Sequence, residues 1–150
     1  MLYLTLKYIH VLLAIVAVGF NIAYGLIIGR AKKTGVAELG FALRTVKVMD
    51  DYVANPCYIL LLVTGVGMVE VAGYPWKLLW IHMSMALLVV LAALAFGIYT
   101  PTLRKQIAAL ERGGPNDPDV VRLGKRGAML GGIMGVIVFV IVGLMVYKPA

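Results

Sequence analysis

Four long apolar segments alternate with polar connections along the chain. They run from about Leu2 to Ile28, from Pro56 to Ala72, from Leu78 to Tyr99 and from Gly127 to Tyr147. Each approaches the length of about 20 apolar residues that a helix needs to cross the hydrocarbon core of a bilayer. The pattern therefore predicts an all-α fold, an up-down bundle of four transmembrane helices that forms one membrane domain over residues 1–150.

The polar connections carry signals of their own. Residues 34–53 repeat apolar side chains at helical spacing, at Leu39, Leu43, Val46 and Met49. This spacing predicts an amphipathic helix that leads into the second span. At the start of that span we expect Asn55 as the helix cap, with Pro56 at the first helical position. Residues 73–75 predict a tight hairpin, and residues 113–118 predict a turn-rich break.

The composition supports a membrane protein, and the charges predict its orientation. Hydrophobic residues make up 62% of the chain and charged residues 14%, whereas a soluble domain is nearer half apolar and a quarter charged. Of the 14 lysines and arginines, only Lys7, Lys77 and Lys148 lie outside the two long connections. Because cytoplasmic loops are enriched in such residues, we expect both termini outside and both long loops in the cytoplasm. The net charge of +7 thus reflects topology, and nucleic acid is not an expected partner.

Polar side chains of the first span lie on one face of the predicted helix. The residues that fall within about 40° of the same line are Tyr3, His10, Ala14, Ala17, Asn21 and Tyr24. An imidazole or a carboxamide that faced acyl chains would lose its hydrogen bonds to water without replacement. We therefore expect this polar stripe to face the interior of the bundle.

The third span carries the second of the two histidines, His82. It shares a helix face with the small or short side chains of Ala86, Val89 and Ala93, which predicts an interior face with room beside the imidazole. With a rise of 1.5 Å per residue, His10 and His82 both lie roughly 6–12 Å below the outer boundary.

The equal depth of the two histidines favours a haem site. The first and third spans of an up-down bundle are diagonal, so two imidazoles approach a central iron from opposite sides. Haem iron accepts neutral imidazole nitrogen as an axial ligand. The sequence therefore predicts haem b bound by His10 and His82, with Lys7 and Lys77 near its propionates.

Two other interpretations stay open. Each histidine alone is also typical of hydrogen bonding between helices, as in a cofactor-free structural subunit. Imidazole and thioether ligands suit copper(I), and Met68 and Met145 lie in the same half of the bundle, as expected of a copper-handling membrane protein. On the fourth span, Gly127, Gly131 and Gly135 allow close helix packing, either within the bundle or between copies in a homo-oligomer.

Four short motifs carry a family resemblance: Lys7-Tyr8-Ile9-His10-Val11-Leu12, Asn55-Pro56, Leu62-Val63-Thr64-Gly65 and Tyr99-Thr100-Pro101, of which the last ends the third span. With them the chain resembles a bacterial family of predicted four-helix integral membrane proteins of unknown function. It is similar, more loosely, to the copper-resistance D-like membrane domain and to the membrane-bound protoporphyrinogen oxidase of bacteria. The resemblance implies a multi-pass protein of the bacterial inner membrane and, from the oxidase-like relatives, a haem-associated histidine in the first span, here His10.

These observations together predict a b-type cytochrome of the lipid bilayer that transfers electrons near the outer face. A haem on one side of the membrane needs an electron donor, so we expect a quinol or a redox protein as partner. The chain contains no Gly-rich nucleotide-binding motif. Any catalysis is therefore expected to be that of an oxidoreductase or of an electron-transfer component.

Overall fold

The computed structural model describes residues 1–149, which contain helices and no strand. The α-helices in chain order are α1 (Leu2–Thr34), α2 (Val36–Met49), α3 (Asn55–Ala72), α4 (Leu79–Leu94), α5 (Thr100–Gly113) and α6 (Pro118–Tyr147). Two π-helical segments, Asp50–Ala54 and Ala95–Tyr99, join α2 to α3 and α4 to α5 without a break. The described chain thus forms four continuous rods, and each is long and apolar enough to cross a membrane.

The four rods pack as the predicted up-down bundle. Helix α1 packs chiefly against α3, and α4 packs chiefly against α6. Smaller contacts between α1 and α6 and between α3 and α4 complete a four-cornered bundle. The first and third rods therefore lie on a diagonal, as expected. Many large apolar side chains face outward, among them Leu4, Ile15, Val63 and Phe139. Such a surface fits lipid as the surrounding solvent.

The two ends of the bundle differ, and we name them for their content. The hairpin end holds the turn at residues 73–78 together with Met1 and Lys148. The basic end holds α2, α5 and the first turns of α6, where most of the lysines and arginines lie. The predicted amphipathic helix is confirmed as α2, whose Leu39, Leu43 and Val46 are buried against the rest of the basic end.

Glycine ends two of the rods where the sequence predicts turns. Gly73 closes α3 with a φ of 66°, and Gly114 follows α5 with a φ of 74°. Both values lie in the left-handed region, which costs glycine little because it has no Cβ. The predicted hairpin and the predicted break are thus confirmed.

One predicted helix start is wrong, and one helix continues beyond the predicted end of its span. Asn55 is not a helix cap, because the π-helical segment before it continues directly into α3. Tyr99-Thr100-Pro101 does not end the third rod, which continues through α5 to Gly113. In each case a π-helical segment precedes an X-Pro pair. The wider turn accommodates a proline ring that would clash with the preceding turn of a regular α-helix.

The glycines that the sequence pattern singles out on the fourth rod do not pack inside the bundle. A Cβ built at Gly127, Gly131, Gly132 or Gly135 meets no atom within 4 Å among the described residues. The alternative in which this face packs within the bundle is therefore wrong for these positions. A contact between copies of the chain stays a prediction.

Candidate functional site

The polar stripe of α1 faces the interior, as predicted. Its buried members recur at seven-residue spacing, at His10, Ala17 and Tyr24, and Ala31 continues the series. His10 is 6% exposed and Tyr24 is 4% exposed. Asn21, between them, is half-buried and donates a hydrogen bond of 2.7 Å to the Tyr58 hydroxyl of α3. The bundle thus places a row of polar groups between α1 and α3.

Thr64 fixes the protonation of the His10 ring. Nδ1 of His10 lies 2.7 Å from Oγ1 of Thr64, and that hydroxyl donates its hydrogen to the Leu60 carbonyl at 2.7 Å. Since a hydroxyl has one hydrogen, Thr64 accepts from the ring, and Nδ1 carries the proton. In a neutral ring the lone pair then lies on Nε2. A ring nitrogen free on one side and anchored on the other is the arrangement of a metal-ligating histidine.

A cavity of about 660 Å³ opens beside His10 at the hairpin end. Side chains of α1, α3, α4 and α6 line it, and most of them are apolar. Gly65 forms part of its wall. A Cβ at Gly65 would lie 3.5 Å from Cε1 of His10 and 3.8 Å from Sδ of Met85, so the missing side chain leaves space next to the imidazole. A volume of this size suits a cofactor or a drug-sized ligand.

Ser84 contributes an unpaired polar group to the same cavity. Its side chain is 2% exposed, and its Oγ has no hydrogen-bond partner among the described residues. A buried hydroxyl without a partner costs roughly 1–3 kcal/mol. Ser84 lines the cavity, so a bound molecule with a donor or acceptor at this place would remove that cost.

Three methionines and two lysines also line the cavity and add possible ligands and positive charge. The sulfur-bearing side chains are Met68 of α3, Met85 of α4 and Met145 of α6. Lys7 and Lys148 also line the cavity and supply its positive charge. Sequence reasoning singled out Met68, Met145 and Lys7, and the structure brings them together with His10. It missed Met85, because one more apolar side chain in an apolar span gives no signal of its own.

His82 and Lys77 lie elsewhere. His82 is exposed on the outside of α4, as are Ala86, Val89 and Ala93, so the predicted interior face is wrong. The buried face of this rod is instead set by Ile81, Ser84, Leu88, Leu91 and Ala95. Its centre is about 140° away from His82 around the helix, at about 100° per residue. Lys77 is exposed in the hairpin and does not line the cavity.

The residues present fit a haem and do not form a closed metal cage. No group of three or more His, Cys, Asp and Glu side chains lies together within residues 1–149. The ligands available in the cavity are one imidazole nitrogen and three thioethers, and both types serve as axial ligands of haem iron. The apolar walls suit a macrocycle, and Lys7 and Lys148 suit its propionates. The orphaned Ser84 hydroxyl is a further sign that the cavity receives a ligand.

The fold and the lipid-facing surface define an integral membrane protein built from four spanning helices. Residues 4–149 match the model of a family described as "Predicted integral membrane protein (DUF2269)". The chain belongs to this family, which agrees with the resemblance found from the sequence motifs. No curated protein and no solved structure matches the chain.

Proposed function

We propose that the protein is a membrane-embedded b-type cytochrome in which His10 is an axial ligand of the haem iron. The observation that carries the proposal is the state of His10. It is buried, its Nδ1 is anchored on Thr64, which leaves the lone pair of a neutral ring on Nε2, and the residue lines a largely apolar cavity of about 660 Å³. Bound haem supplies a one-electron redox couple, and four-helix bundles commonly hold such a cofactor in their core.

The surrounding residues each have a defined task. Thr64 keeps the ring in the tautomer with Nε2 unprotonated and fixes its orientation. Gly65 keeps the space beside the imidazole open. Lys7 and Lys148 bind the propionate carboxylates, and Ser84 offers the hydrogen bond that it lacks in the protein alone.

A second protein ligand of the iron would be a thioether, because His82 is not in the cavity. Met68, Met85 and Met145 are the candidates. A thioether ligand in addition to the histidine would raise the reduction potential of the haem relative to a second histidine. The partner in electron transfer is a quinol from the lipid phase or a redox protein that docks at the hairpin end.

The experiment is a pyridine haemochrome spectrum of the purified protein, expressed in cells supplied with ample haem. The proposal predicts the haem b spectrum with close to one haem per chain. Protein that is folded, monodisperse and free of haem under these conditions would contradict it, and would favour a structural subunit without a cofactor.

Copper(I) handling is the second candidate, and the three thioethers beside one imidazole favour it. Soft sulfur ligands bind copper(I) in preference to harder metals. Elemental analysis of the same preparation separates the two candidates. Copper at one equivalent without haem supports copper handling, whereas iron with a haem spectrum supports the cytochrome.

A further inference from the structure

At the basic end, far from the His10 cavity, one carboxyl group is buried. The buried residues of α2 recur at helical spacing, at Leu39, Leu43 and Val46, and the next position in the series is Asp50. Asp50 is 2% exposed. It is the one buried member of the seven aspartates and glutamates of the chain, all of which the structure describes.

The groups that touch this carboxyl are neutral. Oγ1 of Thr100 donates to Oδ2 of Asp50 at 2.6 Å, and Nδ2 of Asn55 lies 3.4 Å from the same oxygen. The other oxygen, Oδ1, makes no hydrogen bond among the described residues. The neighbouring Asp51 takes the nearby positive charge, since it pairs with Lys47 and lies 3.8 Å from Arg104. None of the salt bridges formed within residues 1–149 involves Asp50.

Two further polar atoms around Asp50 lack partners. Oδ1 of Asn55 and the hydroxyl of Tyr24 are buried without a hydrogen bond within the described part of the chain. Asn55 is 7% exposed and Tyr24 is 4% exposed. Tyr24 belongs to α1, which packs against the π-helical segment that contains Asp50. The pocket around the carboxyl therefore has unused hydrogen-bonding capacity.

The backbone around the carboxyl is irregular on both sides. Asp50 begins the first π-helical segment, and Asn55 follows directly after it. Thr100 follows directly after the second π-helical segment. Such segments are frequent at functional sites. The pairs Asn55-Pro56 and Thr100-Pro101 account for the two segments, and the hydrogen bond from Thr100 brings the end of the second segment to the buried acid of the first.

We propose that Asp50 is a proton-binding site of the basic end, with a carboxyl group that is protonated at neutral pH and exchanges its proton with the medium. A buried carboxylate without a cationic partner is strongly disfavoured, and the group neutralises itself by taking up a proton. Oδ1, which has no hydrogen bond, is the oxygen that receives it. The proposal does not depend on haem or copper at His10.

The electrostatic surroundings of Asp50 agree with proton uptake. The titratable groups within electrostatic range are Tyr24 of α1, Lys47 of α2, Asp51 of the same π-helical segment, Tyr58 of α3 and Tyr99 of the second π-helical segment. Of these, only Lys47 is cationic, and its Nζ is bonded to Asp51. The tyrosine hydroxyls are neutral at physiological pH and leave the carboxyl uncompensated.

A proton fits this place better than an alkali-metal ion. The two groups in contact with Oδ2 present hydrogen-bond donors to it, the Thr100 hydroxyl and the Asn55 amide. A metal ion needs oxygen lone pairs directed at it from several sides. Oriented donors repel a metal cation, whereas they bond to a carboxylate and, more weakly, to the carbonyl oxygen of a protonated carboxyl. The burial of Asp50 outweighs this preference for the ionised form and favours proton uptake.

Infrared spectroscopy of the detergent-purified, full-length protein at neutral pH tests the proposal. We expect a carbonyl stretch of a protonated carboxylic acid that shifts when the buffer is changed to D₂O. The band should be absent from Asp50→Asn and retained in the matched control Asp51→Asn, because Asp51 is partly exposed and paired. A wild-type spectrum without this band, or a band that survives in Asp50→Asn, would overturn the proposal.

A second variant identifies the band even if Asp50→Asn does not fold. Thr100→Val keeps the shape of the side chain and removes its hydrogen bond to Asp50. The carbonyl stretch should then move to higher wavenumber by losing that bond, while circular dichroism shows unchanged helicity. A band that stays in place in Thr100→Val belongs to another group, and a band that never shifts in D₂O belongs to a proton that does not exchange. Either result refutes an exchangeable proton on Asp50.

Discussion

Thr64 decides which nitrogen of His10 is available, and this single hydrogen bond is the basis of the site. A histidine without such an anchor rotates and exchanges tautomers, so its lone pair points in no fixed direction. Here the hydroxyl of Thr64 is itself held by the Leu60 carbonyl, which leaves it only the acceptor role toward the ring. Under the proposal, the order of these three groups prepares the buried histidine to act as a ligand.

Replacing Thr64 by valine should weaken haem binding without unfolding the protein. The variant keeps the side-chain volume and removes the acceptor for Nδ1, and the loss of such an anchor typically costs about 10–100-fold in affinity. Haem titration followed by absorbance measures the change. Thr102→Val is the matched control, because Thr102 also bonds a carbonyl of its own helix but lies at the basic end. Equal affinities for the two variants would contradict the role given to Thr64.

Ser84 allows a test at the same scale that uses the protein without any ligand. Its hydroxyl is buried without a partner, so Ser84→Ala should leave the ligand-free protein as stable or raise its unfolding free energy by roughly 1 kcal/mol. Thermal unfolding in detergent measures this. A clear loss of stability would show that the hydroxyl has a partner, and that the cavity does not leave it free for a ligand.

The two histidines show how far sequence periodicity reaches at the residue scale. His10 was placed correctly because its stripe holds several polar residues, and lipid excludes all of them from its side. His82 was placed wrongly because its face holds only small apolar residues. Small apolar side chains are tolerated against lipid as well as in the interior. The large side chains of Ile81 and Leu88 in the same rod are the ones that are buried. Small size alone therefore does not identify an interior face in a membrane helix.

At the scale of elements, glycine in α3 shapes the cavity. Gly65 and Gly67 both lie on α3, yet only Gly65 faces the His10 ring, whereas Gly67 faces Leu6. In both places an added Cβ would make ordinary contacts of 3.5 Å or more. The two positions thus form a matched pair with the same helix chemistry and different surroundings.

Gly65→Ala should keep the fold and lower haem affinity. Alanine in a helix interior is favoured over glycine by about 0.8–1 kcal/mol, so stability should be unchanged or higher. The added methyl group takes space beside the imidazole, and we expect about tenfold weaker haem binding, or ~1.4 kcal/mol. The control Gly67→Ala should match its stability and keep the wild-type affinity. A haem affinity of Gly65→Ala equal to that of Gly67→Ala would contradict the shape of the site.

The sequence pattern predicts the helices but not the two π-helical segments that join them. Four spans and the helix α2 follow from apolar spacing and were predicted. The apolar spacing does not predict that the rods continue through Asn55-Pro56 and Thr100-Pro101. A proline in the sequence indicates the end of a helix, unless a π-helical turn before it makes room for the ring. Asp50 had a readable signal that was missed. It lies in register with Leu39, Leu43 and Val46, so an acid occupies the apolar face of its helix.

For the whole molecule, the uneven distribution of cations predicts the orientation in the membrane. The basic end is expected in the cytoplasm and the hairpin end outside. The His10 cavity then lies in the outer half of the bundle, and Asp50 lies near the cytoplasmic surface.

Cysteine labelling in spheroplasts measures this orientation. The natural Cys57 is buried and is first replaced by alanine, after which single cysteines are placed at the exposed Lys77 and Asn116. An impermeant maleimide should label Lys77→Cys directly and Asn116→Cys only after the membrane is permeabilised. The opposite pattern would invert the bundle and place the cavity in the cytoplasmic half.

The central claim is that His10, and not His82, holds a haem in this bundle. The most direct measurement is the Soret absorbance per chain of wild type, His10→Ala and His82→Ala, all purified after expression with ample haem. His82 is exposed and outside the cavity, so its variant should keep the wild-type band. His10→Ala should lose the band or most of its intensity while its helicity stays the same. A band that survives in His10→Ala, or disappears in His82→Ala, would contradict the assignment.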